Sequence, residues 1–376
     1  MCDVPALRFP EFNGEWITRP IKDIADFIGG GTPSSANEAY WQGTIPWVSS
    51  SDIVEDNIND ITISRYITEE AISNSATKLC SAPVILIVSR VGVGKVALSS
   101  KAICTSQDFC NLINIKVHPT FLAYSLSQIM KRKSIEVQGT SIKGITSLEI
   151  QKIILHIPSL QEQHKISDLF QLIDKRIAVQ SKIIEDLRLL RDAISVCLLS
   201  PKSDWKCYKV SEIADIGRGR VISSKEIANQ NNPQYPVYSS QTSNEGVMGY
   251  LDNYAFDGEY ITWTTDGANA GTVFYRNGRF NCTNVCGTLK LHYQFDPYYC
   301  SLVLANATKK YVSVNLANPK LMNNTMAAIK LYLPPFQEQK RMAQLFRKMD
   351  ENITLEHKLL LSYQKQKHYL LQQMFI

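Results

Sequence analysis

The sequence has no long apolar run. Its longest, Val84 to Val88, is far short of the roughly 20 residues that a membrane-spanning helix needs. It also lacks the basic-then-apolar layout of a secretion signal, opening instead with MCDVPALRFPEF, so a cytoplasmic protein without a membrane partner is expected. The nine cysteines are odd in number and irregularly spaced, which points to reduced thiols rather than a disulfide framework. Cys282, Cys286 and His292 have no second ligand pair beside them to complete a zinc site. Excess charge is scarce as well: a formal net charge of +5 permits a nucleic-acid partner but is too mild to announce one.

Catalytic signatures are missing too. Val91-Gly92-Val93-Gly94-Lys95 approaches a phosphate-binding loop, yet Ser89 stands where its first glycine is required and Val96 where it needs Ser or Thr. No Pro-Asp dipeptide is present to begin a nuclease site, and the six histidines are scattered without forming a nucleophile–base set. Phe27-Ile28-Gly29-Gly30-Gly31 approaches the glycine-rich turn of an S-adenosylmethionine site. Asn232-Pro233-Gln234-Tyr235 and Asp296-Pro297-Tyr298-Tyr299 each lack one proline of the turn that holds a flipped adenine. None of these lies in the alternating strand–helix run that such a cofactor fold requires. A chain with its own active site is therefore not expected.

What is present is a repeat. IPSLQEQHKISDLFQLIDKRI and LPPFQEQKRMAQLFRKMDENI align without a gap, placing Pro158 on Pro334, Gln161-Glu162-Gln163 on Gln337-Glu338-Gln339, Phe170 on Phe346 and Asp174 on Asp350. Neither proline nor glycine occurs between Ser159 and Leu199, and apolar residues recur at alternating steps of four and three. The resulting seam is Ile166, Phe170, Ile173, Ile177, Gln180, Ile184, Leu187, Arg191, Ile194 and Leu198. Its counterpart is Met342, Phe346, Met349, Ile353, Glu356, Leu360, Tyr363, Lys367, Leu370 and Met374; in each, eight of ten positions are apolar. The polar interruptions coincide, Gln180 with Glu356 and Arg191 with Lys367. Two helices of roughly 40 residues, each on the order of 60 Å long, are expected to pack on each other as a coiled coil.

The segments before the helices repeat more faintly. Trp16 with Lys22 to Asp26 corresponds to Trp205 with Ser211 to Asp215, Ile45 to Asp52 to Tyr235 to Thr242, and Ser89 to Val96 to Asp266 to Val273. They read as short β-runs split by Gly, Asn and Pro turns, with some helix between. The expected fold is mixed α/β (α+β): two pseudo-repeated globular modules, 1–156 and 201–333, separated by long helices over 157–200 and 334–376.

LRFPEF, GEW, GGGTPSS, WQGTIPW, the two P-x-x-Q-E-Q helix starts, YPVYSS, GYLDNY and AGTVFYRNGRF occur in an order that resembles the specificity subunit family of type I restriction-modification systems. The resemblance implies two target recognition domains, each reading one half of a split sequence in double-stranded DNA. It implies that the helices form an antiparallel pair that sets the gap and docks two methyltransferase subunits. No cofactor is implied in this chain: S-adenosylmethionine belongs to the methyltransferase partners, and ATP and Mg to partner restriction subunits.

Base-reading groups are expected to be hydrogen-bonding side chains on loops held by a rigid scaffold. In the first module these are Ser50, Ser51, Asp52 and Arg90; in the second, Ser240, Gln241, Thr242 and Asn269. Lys95, Lys143, Arg218, Arg220 and Lys320 are the expected phosphate contacts, with Gly219 allowing close backbone approach between two guanidinium groups. Two other classes stay open at this point: a scaffold binding proteins on a coiled-coil rod, and a methyltransferase with its own cofactor site.

Overall fold

The computed structural model describes residues 4–138, 144–313 and 318–375. The chain forms two compact units, one comprising 1–182 and 357–376, the other 183–356. No described helix is long and apolar enough to cross a membrane.

Among the described residues, nine strands belong to the first unit: β1 (Ile17–Pro20), β2 (Asp26–Gly29), β3 (Ile45–Val48), β4 (Arg65–Ile67), β5 (Val84–Val88), β6 (Val96–Ser99), β7 (Cys104–Thr105), β8 (Phe109–Ile113) and β9 (Ile154–Ile157). Helices α1 (Glu69–Ser73), α2 (Pro119–Gln138) and α3 (Ser147–Gln151) lie among them, and the long helix α4 (Leu160–Leu198) follows β9. The strands make three sheets, ordered β2-β8-β5-β6, β4-β3-β7 and β1-β9.

The run that looked too short for a membrane is the buried strand β5, all five of whose residues are inaccessible. Side chains alternate across a sheet, so Ile85 and Ile87 enter the main core with Trp16, Phe121 and Phe170. Val84, Leu86 and Val88 enter a second cluster on the opposite face with Ile53 and Phe109.

The second unit repeats this plan strand for strand. Its strands are β10 (Lys206–Lys209), β11 (Ala214–Arg218), β12 (Tyr235–Tyr238), β13 (Val247–Leu251), β14 (Tyr260–Thr264), β15 (Val273–Arg276), β16 (Asn281–Cys282), β17 (Cys286–Leu291) and β18 (Lys330–Leu333). Their order is β11-β17-β14-β15, β13-β12-β16 and β10-β18. Helices α5 (Val210–Ile213), α6 (Ser224–Ala228), α7 (Pro297–Ala307) and α8 (Asn323–Ala328) precede the second long helix, α9 (Phe336–Met374).

The long helices α4 and α9, each of 39 residues, pack together. All twenty seam positions are buried or half-buried, whereas most of their neighbours are exposed. Within the first unit Asp174 meets Lys367 at 2.5 Å, the Arg176 guanidinium lies 5.2 Å from the Tyr363 ring, and Phe170 lies 5.8 Å from Phe375. Within the second unit Arg191 meets Asp350 at 2.5 Å and lies over Phe346. In the first unit rising numbers on α4 meet falling numbers along α9 and its end, so the pair is antiparallel.

The repeated motif has a structural reason in each unit. Gln163 is buried; its amide donates to the Pro158 carbonyl at 2.8 Å and accepts from the His118 backbone at 2.8 Å, docking the start of α2 on α4. Gln339 does the same with Pro334 at 2.8 Å and Asp296 at 3.0 Å, docking α7 on α9. Glu162 is fully buried and grips Arg8 through two 2.7 Å bonds. Q-E-Q therefore does more than open a helix: its last glutamine ties each helix to its own module, and in the first copy the glutamate does so as well.

Candidate nucleic-acid interface

In the first unit, register fixes which loops meet. Gly29 pairs with Cys110, Val88 with Phe109, and Ile87 with Val96, so the end of β2, the β5–β6 loop and the approach to β8 share one end of the sheet. The turn after β3 joins them, because the Lys95 ammonium donates to the carbonyls of Ser50 at 3.2 Å and Ile53 at 2.9 Å. Ser50, Ser51, Asp52, Arg90 and Lys95 therefore converge at this end.

Not all of them are free to read bases. The Asp52 carboxylate accepts from the Ser49 backbone at 2.7 Å and its hydroxyl at 2.9 Å, and it is paired with Arg65. Burial alone would raise its pKa, but the hydrogen bonds from Ser49 and Arg65 hold the carboxyl below its ordinary range. Asp52 closes its own turn, as Lys95 does, while Ser51 and Arg90 remain exposed.

The second unit presents the equivalent end. Arg218 pairs with Gly287, Thr264 with Cys286 and Trp263 with Val273. Asn269, on the β14–β15 loop, donates to the Ser240 carbonyl at 2.9 Å, and the Gln241 amide donates to the Val247 carbonyl. Thr242 is exposed beside them.

The cations here sit beside carboxylates. Arg218 donates to the Asn284 carbonyl at 2.5 Å and lies 3.4 Å from Asp266, which Lys320 approaches to 3.6 Å. Arg220 is held by Glu226, whose hydrogen bonds raise the guanidinium's pKa. Lys143 lies outside the described residues.

A Cβ at Gly219 would collide with the carbonyls of Cys282 and Thr283, so this glycine admits a close approach of the chain's own backbone. Gly30 is confined in the same way by Thr105 and Ser106, whereas Gly29 has nothing within 4 Å. The Phe27 to Gly31 run that approached a cofactor turn is thus the end of β2 and the two glycines after it, with Gly30 packed onto Thr105 of β7 and Ser106.

Two arginines escaped the reading of the sequence. Arg65 donates to the Ser49 hydroxyl at 2.7 Å and lies 4.5 Å from the Trp47 ring. Arg276 is buried, with its pKa lowered by desolvation, and its guanidinium sits 3.6 Å from the Tyr238 ring and 4.4 Å from Phe274. It donates to the Glu245 carbonyl at 2.7 Å. That carbonyl belongs to a strained turn: Asn244, Glu245 and Gly246 are consecutively left-handed, at φ 48°, 51° and 85°. The conformation costs about 1–2 kcal/mol for each non-glycine residue. Arg276, ahead of an Asn-Gly pair, reads locally as an exposed strand end; only the tertiary fold buries it.

Comparison with known proteins completes the picture. Residues 13–189 and 202–362 each match the family described as "Type I restriction modification DNA specificity domain". The N-terminus of a type I specificity subunit from Mycoplasma pneumoniae is 47% identical over 140 residues, covering 37% of this chain and 74% of that protein. A second M. pneumoniae type I specificity subunit is 35% identical over 212 residues, covering 54% of this chain and 78% of it. The MpnII specificity subunit from the same organism is 41% identical over 143 residues, 38% of this chain and 42% of that subunit. Among solved structures, the S subunit of the type I restriction-modification system from M. genitalium aligns over 99% of both chains with a TM-score of 0.65 at 19% identity, a likeness of fold.

Proposed function

Because the chain belongs to the type I restriction modification DNA specificity family, we propose that each of its modules, 1–156 and 201–333, contacts one half of a bipartite duplex target. The long helices, over 157–200 and 334–376, set the spacing of the half-sites and carry two methyltransferase subunits. Those subunits bring S-adenosylmethionine, and restriction subunits bring ATP and Mg, in the cytoplasm where the DNA is. The observation that carries the reading is the strand-for-strand repetition of one sheet end, with glycine- and serine-rich loops, in both units. Two like modules suit a duplex read on both strands.

In this reading Ser50, Ser51, Arg90, Ser240, Thr242 and Asn269 face bases, Asp52, Lys95 and Gln241 shape their loops, and Lys143, Arg218, Arg220 and Lys320 lie along phosphates. Duplex affinity is expected to fall about a hundredfold between 50 and 200 mM salt for four phosphate contacts, through counterion release. Arg218→Ala and Lys320→Ala are each expected to lower the log–log salt slope by about 0.9. Salt-independent binding of duplex would contradict the proposal.

A further inference from the structure

The loop after the central strand of the three-stranded sheet carries candidate base-reading residues in both modules: Ser49 to Asp52 after β3, and Ser239 to Gly246 after β12. Each loop is held by an arginine from outside it. Arg65, on β4, stacks on Trp47 of β3 at 4.5 Å and donates to the Ser49 hydroxyl at 2.7 Å and to Asp52. Arg276, on β15, stacks on Tyr238 of β12 at 3.6 Å and donates to the Glu245 carbonyl at 2.7 Å.

The two arginines are not copies in the repeat. Arg65 pairs with Trp47 where Gly249 pairs with Val237, and the register that places Val273 on Val96 places Arg276 on Ser99. The same device has been built twice from different strands. What recurs is the need to hold that loop, not an inherited residue. In the second module the need is visible in the backbone, where Asn244 and Glu245 are both left-handed and exposed, aiming side chains that a relaxed turn would aim elsewhere.

We propose that Arg65 and Arg276 are positioning residues for DNA specificity: without facing DNA, each fixes the loop of its own module and so which bases that module accepts. The planar guanidinium suits this, since it stacks on an aromatic face while its N–H groups reach fixed acceptors, which a lysine cannot reproduce. The proposal rests on the reading that each module contacts one half-site.

The test is a methylation map of DNA from cells carrying the full chain with a type I methyltransferase partner, comparing wild type, Arg65→Lys and Arg276→Lys. Arg276→Lys is expected to reduce discrimination by about tenfold, the scale of one bidentate base contact, in one half of the motif only. Arg65→Lys is expected to do so in the other half only. If Arg276→Lys abolishes methylation altogether, Arg65→Lys decides the matter, because the Arg65 side chain is 39% exposed and its replacement spares the core. Unchanged preference in both halves, or weaker methylation everywhere with preference intact, overturns the proposal while leaving the DNA-reading assignment in place. A wild-type chain that supports no split motif removes that assignment, and the proposal with it.

Discussion

Lys367 and Asp174, each 9% exposed at the side chain, form a buried ion pair, and Asn59 and Tyr124 also donate hydrogen bonds to the Asp174 carboxylate, at 2.9 and 2.6 Å. The internal repeat maps Asp174 onto Asp350 and Lys367 onto Arg191, so Arg191–Asp350 is the same bond written a second time, with Tyr298 in place of Tyr124. The second version is wetter, at 23% and 40% exposed. Removing one partner of a buried pair leaves an uncompensated charge, so Lys367→Met is expected to cost about 3–5 kcal/mol. Arg191→Met should cost less, and a comparable loss in urea unfolding would show that burial is not what separates the two. Lys367 and Arg191 were visible in the sequence as interruptions of the seam. Their acid partners were visible only as repeated residues, because nothing local says that they meet. The same limit applies to Asp52 and Gln241, which were chosen for side-chain type and turn out to be bonded within their own loops.

At the scale of elements, what was legible was what is periodic. The seam of α4 and α9 could be read because a helix repeats its faces every few residues, and the structure buries or half-buries every position of it. The buried strand β5 was equally plain as a short apolar run. Glycines were harder, since the sequence shows that a position lacks a side chain but not what fills the space. Gly29, Gly30 and Gly219 separate the possibilities. Gly30→Ala and Gly219→Ala would each drive a methyl group into backbone carbonyls and are expected to destabilise by about 1–3 kcal/mol. Gly29→Ala, with open space around its Cβ, is expected to be nearly neutral in thermal unfolding. Tolerance of alanine at Gly30 or Gly219 would contradict the packing described.

At the scale of the whole chain, the repeated module and helix by themselves point to the fold class, because two copies of one plan show through divergence in their loops. Which loops meet could not be read that way, since it depends on strand register between residues far apart in sequence. Register brings Arg90 to one sheet end in the first unit, where Lys95 ties Ser50 to it, and Arg218 and Asn269 to the equivalent end in the second. The most direct test of the account is a genome-wide methylation map from cells expressing this chain with its methyltransferase partner, against cells lacking only this chain. The expected result is adenine methylation in both halves of a split motif with a fixed spacer, present only when the chain is present. Methylation that is the same with and without the chain, from an active partner, would contradict it.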